Sequence, residues 1–504
     1  MLPFSFIRNI SFGAGLTVLV AVLSASYFQL LTTSTSNQCA ALSSVLRGKV
    51  FYPADNAYQE SDGSYWRVQE TTYRPSCILI PTHRDHVATA LKTLTKNNRC
   101  KFAVRGGGHT LWNGASNINS GVTIDMRKLN GVTINRDRTV VSAGAGALWG
   151  DVYRKADVAK IAVIGARAAD VGVAGLTLGG GINYFSARKG FACDNVINFE
   201  VVLASGRIVN ANTRENSDLW HALKGGANNL GIVTRFDLSS FSYTGIWGGQ
   251  VVLPDSVSPQ MLKGFAELNN KNFDEYASMM LGFSWVYGMG FLWTSNMHYT
   301  KPDPNPRTFR AFTSAQPQLA STVRISNQTD FTEEFMTYNK AGSRAMFVTN
   351  TFVNDLNFLT SVHKMFKDIS TEIQELPGVA LSLTFQPISR PLLQASERKG
   401  GNVLGLERSE APLVLCLVSA LWSDASQDEI IYSVGRRLTD QIIRSAKKKG
   451  LFNEWVYLNY ASSWQDPLKG YGERNKQKLR AASRKYDPTG VFQKQVPGGF
   501  KLFN

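Results

Sequence analysis

Cysteine is scarce in this chain, with 5 among 504 residues. So few thiols exclude a small scaffold stapled together by disulfides. There is no Cys-x-x-Cys, no His-Glu-x-x-His and no facial-triad spacing of His and carboxylate, so a metal centre is not expected. A Gly-x-Ser-x-Gly elbow is also missing, which sets serine-hydrolase chemistry aside. Long runs of like charge are absent too. Basic residues outnumber acidic ones, 54 to 38, but the longest basic run is Lys447-Lys448-Lys449. With no zinc finger or basic zipper, that excess reads as a solvated basic surface, and no nucleic-acid partner is expected. Beyond residue 31 no stretch is long and apolar enough to span a bilayer.

What is present is an ordinary globular balance: 43% hydrophobic and 18% charged residues. That excludes wholesale disorder, and the length suits two or three domains. At the N-terminus Arg8 precedes an apolar stretch, Ile10 to Leu31, whose core from Phe12 to Leu23 suits a secretory signal. Small residues Ser24, Ala25 and Ser26 follow, where cleavage is possible. The alternative is an uncleaved anchor, since Ile10–Leu31 just reaches across a membrane. A secretory route permits disulfides. Cys39 and Cys77, either side of a polar, turn-rich segment, are the preferred pair, leaving Cys100, Cys193 and Cys416. Asn327-Gln328-Thr329 is a glycosylation sequon.

Local patterning predicts strands at Ile78–Ile80, Lys101–Val104, Val122–Asp125 and Thr139–Ser142. A capping box at Thr82–Asp85 opens a helix carrying Val87, Leu91 and Leu94. Leu148–Val158 and Leu219–Leu223 read as helices. Phe199–Ala204 and Ile208–Ala211 flank a Ser205-Gly206 hairpin turn. Glycine thins out beyond residue 240. There Gly282–Trp285, Gly290–Trp293 and Leu381–Phe385 read as strands. Glu429–Lys448 is a long amphipathic helix with Ile430, Val434, Leu438 and Ile442 near one face. The expected fold class is α+β in two domains, the first rejoined by the C-terminal tail.

Two glycine clusters carry the chemical signal. Arg105-Gly106-Gly107-Gly108-His109-Thr110 follows a strand directly. Loops without Cβ atoms turn sharply and bring backbone N–H groups up to an anion. This one is neither a P-loop nor a Rossmann turn, because the spacing of both is missing. The second cluster is Val171-Gly172-Val173-Ala174-Gly175-Leu176-Thr177-Leu178-Gly179-Gly180-Gly181. Either alone reads as a tight turn, but the pair suits a long ligand bearing a pyrophosphate.

These loops, with Ser142–Gly146, Trp149-Gly150, Arg188–Val196, Asp218–Trp220, Gly231–Thr234, Tyr457–Tyr460 and Tyr486–Pro488, resemble the FAD-binding domain of vanillyl-alcohol oxidase-type flavoenzymes. The likeness is to the berberine bridge enzyme-like group, particularly fungal oxidoreductases of natural-product pathways, and covers almost the whole chain after the leader. After the leader or anchor read over 1–31, it implies a PCMH-type FAD-binding domain over 32–240 and a substrate domain with an antiparallel sheet over 241–450. The tail, 451–504, then completes the FAD site. It further implies cofactor contacts from Arg105–Thr110, Val171, Gly172, Gly175, Leu178, Gly179, Gly180, Asn195, Gly231, Ile232, Val233 and Asn459. His109 matches the His that bonds covalently to FAD. The second flavin-bonding Cys of many relatives falls on Ala168 here, so one covalent link is implied. Val171 matches a position lining the approach of dioxygen, where a small residue goes with oxidases.

The resemblance implies hydride transfer from a small organic substrate to flavin and reoxidation by dioxygen to hydrogen peroxide. Tyr460 matches a tyrosine that serves as base in some relatives. Trp285, Trp293 and Gln386 are the candidate pocket residues. A carbohydrate oxidase on the same scaffold is the alternative, disfavoured by Ala168. A binding protein that kept the fold without the flavin is the third reading.

Overall fold

The computed structural model describes residues 38–96, 100–338 and 341–503; the candidate leader at 1–31 lies outside them. The first sheet contains β1 (Val50–Phe51), β2 (Cys77–Leu79), β3 (Phe102–Arg105) and β4 (Val122–Asp125) in the order β1-β2-β4-β3. β4 runs parallel to both β2 and β3. Parallel neighbours need crossovers, and helix Arg84–Leu94 supplies the one between β2 and β3. It buries Val87, Leu91 and Leu94 as the 3.6-residue period requires. The helix is capped by His83, whose side chain accepts from the Asp85 N–H, and not by Thr82 as the capping-box spacing suggested.

The second sheet is antiparallel, with β5 (Val132–Ile134), β6 (Val140–Gly144), β8 (Val196–Val202), β9 (Ile208–Asn212) and β10 (Ile232–Ser242) in the order β5-β6-β10-β8-β9, while β7 (Ile161–Val163) pairs with β10. The hairpin between β8 and β9 turns on Gly206, at φ +77°. One hydrophobic core joins the two sheets and reaches into the tail through Trp455, Tyr457, Tyr471, Leu479 and Phe492.

The third sheet is antiparallel throughout. It comprises β11 (Ile246–Pro254), β12 (Ala277–Val286), β13 (Gly290–Tyr299), β14 (Ala320–Ser321), β15 (Arg324–Ser326), β16 (Arg344–Val353), β17 (Ala380–Ile388), β18 (Leu413–Trp422) and β19 (Phe452–Asn453). Its main path is β14-β11-β13-β12-β17-β18-β16-β19, and β15 also pairs with β11. Helices Ser258–Leu268, Leu356–Ser370 and Asp428–Lys448 cover one face and form a second core. The long helix buries Ile431, Val434, Leu438 and Ile442, whereas Ile430 is exposed. Counting in fours from Val434 pointed to Ile430; the neighbour three positions before Val434 faces the core instead.

Strand alternation fixes what the opposite face presents. Cross-strand partners share a side, so Phe283, Trp293, Leu383 and Val418 face the helices together. Their sequence neighbours, including Gly282, Ser284, Thr384, Gln386 and Ser419, face the other way.

Cys39 and Cys77 form a disulfide, as preferred on sequence grounds, while Cys100, Cys193 and Cys416 are free and buried. Among the described residues no helix is long and apolar enough to cross a membrane, and no group of His, Cys, Asp and Glu is arranged to hold a metal ion.

Candidate active site

The two glycine loops meet back to back. A Cβ on Gly107 would lie 2.6 Å from the Gly172 backbone, and one on Gly172 would lie 2.5 Å from the Gly107 nitrogen. Only hydrogen fits between them, which is why the two clusters recur in one chain. Gly108 sits at φ +74° with the Arg105 guanidinium folded over it. Gly175, by contrast, is exposed with nothing within 4 Å of where its Cβ would stand. Beside Gly107 lies a cavity of about 510 Å³ whose walls include Trp66, Gly146, Leu148 and Asp170.

The His109 ring stacks on Trp66, with centroids 3.6 Å apart, and the Trp66 backbone N–H donates to the Gly108 carbonyl over 3.0 Å. The loop therefore pins the backbone of the residue whose indole stacks on the imidazole. Nε2 of His109 is buried and makes no hydrogen bond; Asp170 Oδ1 stands 3.4 Å away, at ion-pair distance only. Arg67 lies over the Trp66 ring at 3.5 Å; burial draws its guanidinium down to about 10, partly offset by Asp170.

Arg167 is the functional candidate the motif reading missed. It is 8% exposed and lies three residues before Asp170, on the segment that leads into Gly172. Its Nη2 donates to Gln386 Oε1 over 2.6 Å and to Tyr460 Oη over 2.7 Å. One nitrogen thus joins the first-domain loop, β17 and the C-terminal tail. Its sequence signal was a lone Arg following Ile161-Ala162-Val163-Ile164-Gly165-Ala166, a charge where the pattern otherwise buries apolar side chains. Tyr460 also packs edge-on to Phe347, at 5.5 Å, and to Tyr457, at 4.8 Å. Gln386 is 2% exposed, and its amide nitrogen is buried without a partner. An orphaned buried donor has a standing penalty until a ligand atom meets it.

Other expected cofactor contacts serve the scaffold. The Arg105 guanidinium donates to the Ser61 carbonyl, and to that of Ser64 over 2.7 Å, so the side chain is tied back into the fold. Asn195 donates to the Lys189 and Phe191 carbonyls, at 2.9 and 2.7 Å, and is 2% exposed. Asn459 donates to the Leu176 carbonyl over 2.9 Å and to Tyr457 Oη over 3.1 Å, with its Oδ1 filling the space a Gly179 Cβ would need. Tyr457 in turn accepts from the Gly181 N–H; burial holds its phenol well above the usual range. Leu178 and Gly180 lie buried on the same turn. Gly231, at φ +157°, opens β10, and Ile232 and Val233 bury their side chains opposite Val202 and Val201. Val171 and Thr110 are half-buried.

Two expected pocket residues are corrected. Trp293 is wholly buried on the helix side of its strand and donates to Ser258 Oγ over 2.7 Å. Trp285 shares that side, edge-on to Phe291 and packed against the second core. Alternation places both away from Gln386. The side facing Gln386 carries instead Phe347 and a set of small and hydroxyl side chains. Ala168, half-buried, puts a methyl group where a second bonding sulfur would be required. Cys193 does not replace it, because its thiol is fully buried and burial pushes it well above the usual range.

Two abutting glycine loops, a half-buried imidazole whose buried Nε2 makes no hydrogen bond and a neighbouring cavity fit a long, pyrophosphate-bearing flavin nucleotide. A family profile described as "FAD binding domain" matches residues 75–212. A FAD-dependent monooxygenase of Cochliobolus heterostrophus is 37% identical over 451 residues, covering 87% of each chain. Another, from Cercospora beticola, is 34% identical over 482 residues, covering 92% of this chain and 91% of its own. Among solved structures, 6-hydroxy-D-nicotine oxidase from Arthrobacter nicotinovorans superposes with TM-score 0.74 at 19% identity, over 89% of this chain and 97% of that one. Glucooligosaccharide oxidase from Acremonium strictum gives the same score and identity over 92% and 99%. The site and fold thus define an FAD-dependent oxidoreductase. The chain belongs to the PCMH-type, berberine bridge enzyme-like family that includes the fungal FAD-dependent monooxygenases.

Proposed function

We propose that the protein oxidises a small organic, secondary-metabolite substrate by removing a hydride next to a polar group. FAD, when bound, supplies the acceptor for that hydride and passes the electrons to dioxygen. The glycine loops hold its pyrophosphate side, and His109 bonds to its ring as the sole covalent tether. The 32–240 segment and the 451–504 tail serve the cofactor, and 241–450 serves the substrate.

Tyr460 is the proton-handling group. The observation that carries this is the 2.7 Å hydrogen bond from Arg167 to its oxygen. A guanidinium held there meets negative charge as it develops on the oxygen, and Gln386 fixes the guanidinium's orientation. Berberine bridge enzyme takes its base, a Glu, from the substrate domain. Here the inner sheet strands offer no carboxylate on the side of Gln386, which leaves Tyr460 as the base. The orphaned amide N–H of Gln386 orients the substrate.

Val171 at the cleft leaves room for dioxygen. Stopped-flow reoxidation slower in Val171→Leu supports this, and equal rates remove it. The disulfide at Cys39–Cys77 suits an oxidising compartment and, with the apolar N-terminal stretch, favours the secretory pathway. Asn327 is exposed there for glycosylation: its Oδ1 caps helix Gln328–Thr337 and its amide nitrogen makes no hydrogen bond among the described residues. The decisive assay is an anaerobic substrate screen read by flavin bleaching. If Tyr460→Phe is reduced by substrate as fast as the wild type, the base assignment fails.

A further inference from the structure

Arg167 has more hydrogen-bonding capacity than the protein uses. A guanidinium carries five N–H donors. Nη2 spends its two on Gln386 and Tyr460. Nε and Nη1 make no hydrogen bond to any described residue, yet neither is sealed from solvent. No carboxylate lies within ion-pair distance of this group among the described residues, although the side chain is more than nine-tenths buried.

A buried cation without a counter-ion has a large desolvation cost unless something pairs with it. The surrounding wall supplies nothing. On the side of Gln386, strands β12, β13, β16, β17 and β18 present no Asp, Glu, Lys or Arg. Gly282, Ser284, Thr294, Thr384, Leu417 and Phe347 are typical of that surface. The one ionisable group there, His298, is held neutral by burial, its imidazole drawn down to about 3. The side chains that the sheet presents toward the unmet charge are apolar, hydroxyl-bearing or aromatic.

We propose that the substrate carries an anionic oxygen, a carboxylate or an ionised phenol, on a flat apolar body, and that the free Nη1 donors of Arg167 bind it. This rests on the oxidoreductase reading above and names its substrate class. The geometry constrains it further. Tyr460 sits on Nη2 and the anion on the adjacent Nη1 of one guanidinium, so the anionic oxygen and the hydroxyl presented to Tyr460 are neighbours on the substrate, in an ortho or peri relationship. A neutral sugar leaves the guanidinium unpaired and is rejected by the cost of burying it. A guanidinium N–H that meets an anionic oxygen makes a charge-assisted hydrogen bond, roughly twice as strong as a neutral one.

The test is calorimetric titration of the flavin-loaded, full-length protein with 3-hydroxy-2-naphthoate and with 3-hydroxy-2-naphthamide, its neutral counterpart. A parallel arm uses 1,8-dihydroxynaphthalene below and above its first ionisation, to separate carboxylate from phenolate. The expected result is at least about tenfold tighter binding of one or both anions than of the matching neutral form. That preference is lost in Arg167→Gln and partly kept in Arg167→Lys. Equal affinity of anion and neutral form in the wild type overturns the proposal, and so does a preference that survives in Arg167→Gln. Should Arg167→Gln not fold, the wild-type comparison decides alone. Binding is read without turnover, so an anion preference in a protein that oxidises nothing upholds this inference while defeating the reaction proposed above.

Discussion

Gly172→Ala tests the cofactor cradle where it is tightest. The new methyl would stand 2.5 Å from the Gly107 nitrogen and 2.7 Å from its Cα, both backbone atoms that cannot rotate aside. The two loops must separate. Overpacking of this kind costs about 1–3 kcal/mol, and more where backbone has to shift. At about 2–4 °C per kcal/mol for domains of 150–250 residues, the flavin-free protein should melt about 2–12 °C lower. Flavin content should fall with it. Gly175→Ala is the control. Its methyl meets nothing within 4 Å, and the residue lies in helix Val173–Leu178. Alanine there favours the helix by up to about 1 kcal/mol, so the flavin-free melting temperature should hold or rise. Flavin retention should drop all the same if the exposed side of this loop meets the cofactor, since the methyl projects from it. Differential scanning fluorimetry and the visible spectrum measure both quantities. A Gly172→Ala protein that melts with the wild type and keeps its full flavin refutes the back-to-back cradle. A Gly175→Ala protein that keeps its full flavin refutes the assignment of its open side to the ligand.

Further outcomes follow from the same geometry. Replacing Cys39 and Cys77 by serine opens a loop closed across 38 residues and should destabilise the protein by about 3–4 kcal/mol on the chain-entropy estimate, read by urea unfolding. Burial holds three imidazoles neutral, His298 near 3 and His221 and His363 near 4. Their folded values lie below the unfolded one, so the unfolded chain binds more protons in acid, and stability should fall as pH drops from about 6.5 toward 4. A melting temperature flat across that window contradicts this. For Asp237, burial raises the carboxyl, but hydrogen bonds from Arg235, Ser142 and Asn198 more than offset it and leave it lowered. Its contribution is present above the unfolded value near 3.9 and lost as pH falls through the lower folded one. Asp237→Asn should therefore cost stability at pH 7 and little at pH 2, as measured by urea unfolding at both.

The fold was legible where periodicity and glycine spacing carried it. Val87, Leu91 and Leu94 line one helix face, and β3 runs straight into the triple glycine, because local pattern decides both. Pairing between distant loops was only implied. Nothing in either cluster taken alone says that Gly107 abuts Gly172. The pocket was read less well for a definite reason. Trp285 and Trp293 are aromatic and lie on strands, but a strand shows alternate residues to opposite faces, and which face meets the cleft depends on where the helices pack. Arg105 looked like an anion ligand from its place in the motif, yet it is folded back onto Ser61 and Ser64. Arg167 belongs to no motif. Its importance comes from three segments converging, at sequence separations of 219 and 293 residues, which patterning does not encode.

The covalent tether is the central claim, and acid precipitation tests it most directly. Purified protein, precipitated and washed, should stay yellow, and proteolysis should yield one flavin-bearing peptide that contains His109, with none from His109→Ala. A colourless pellet beside a yellow supernatant, or flavin attached to any other residue, would contradict the account.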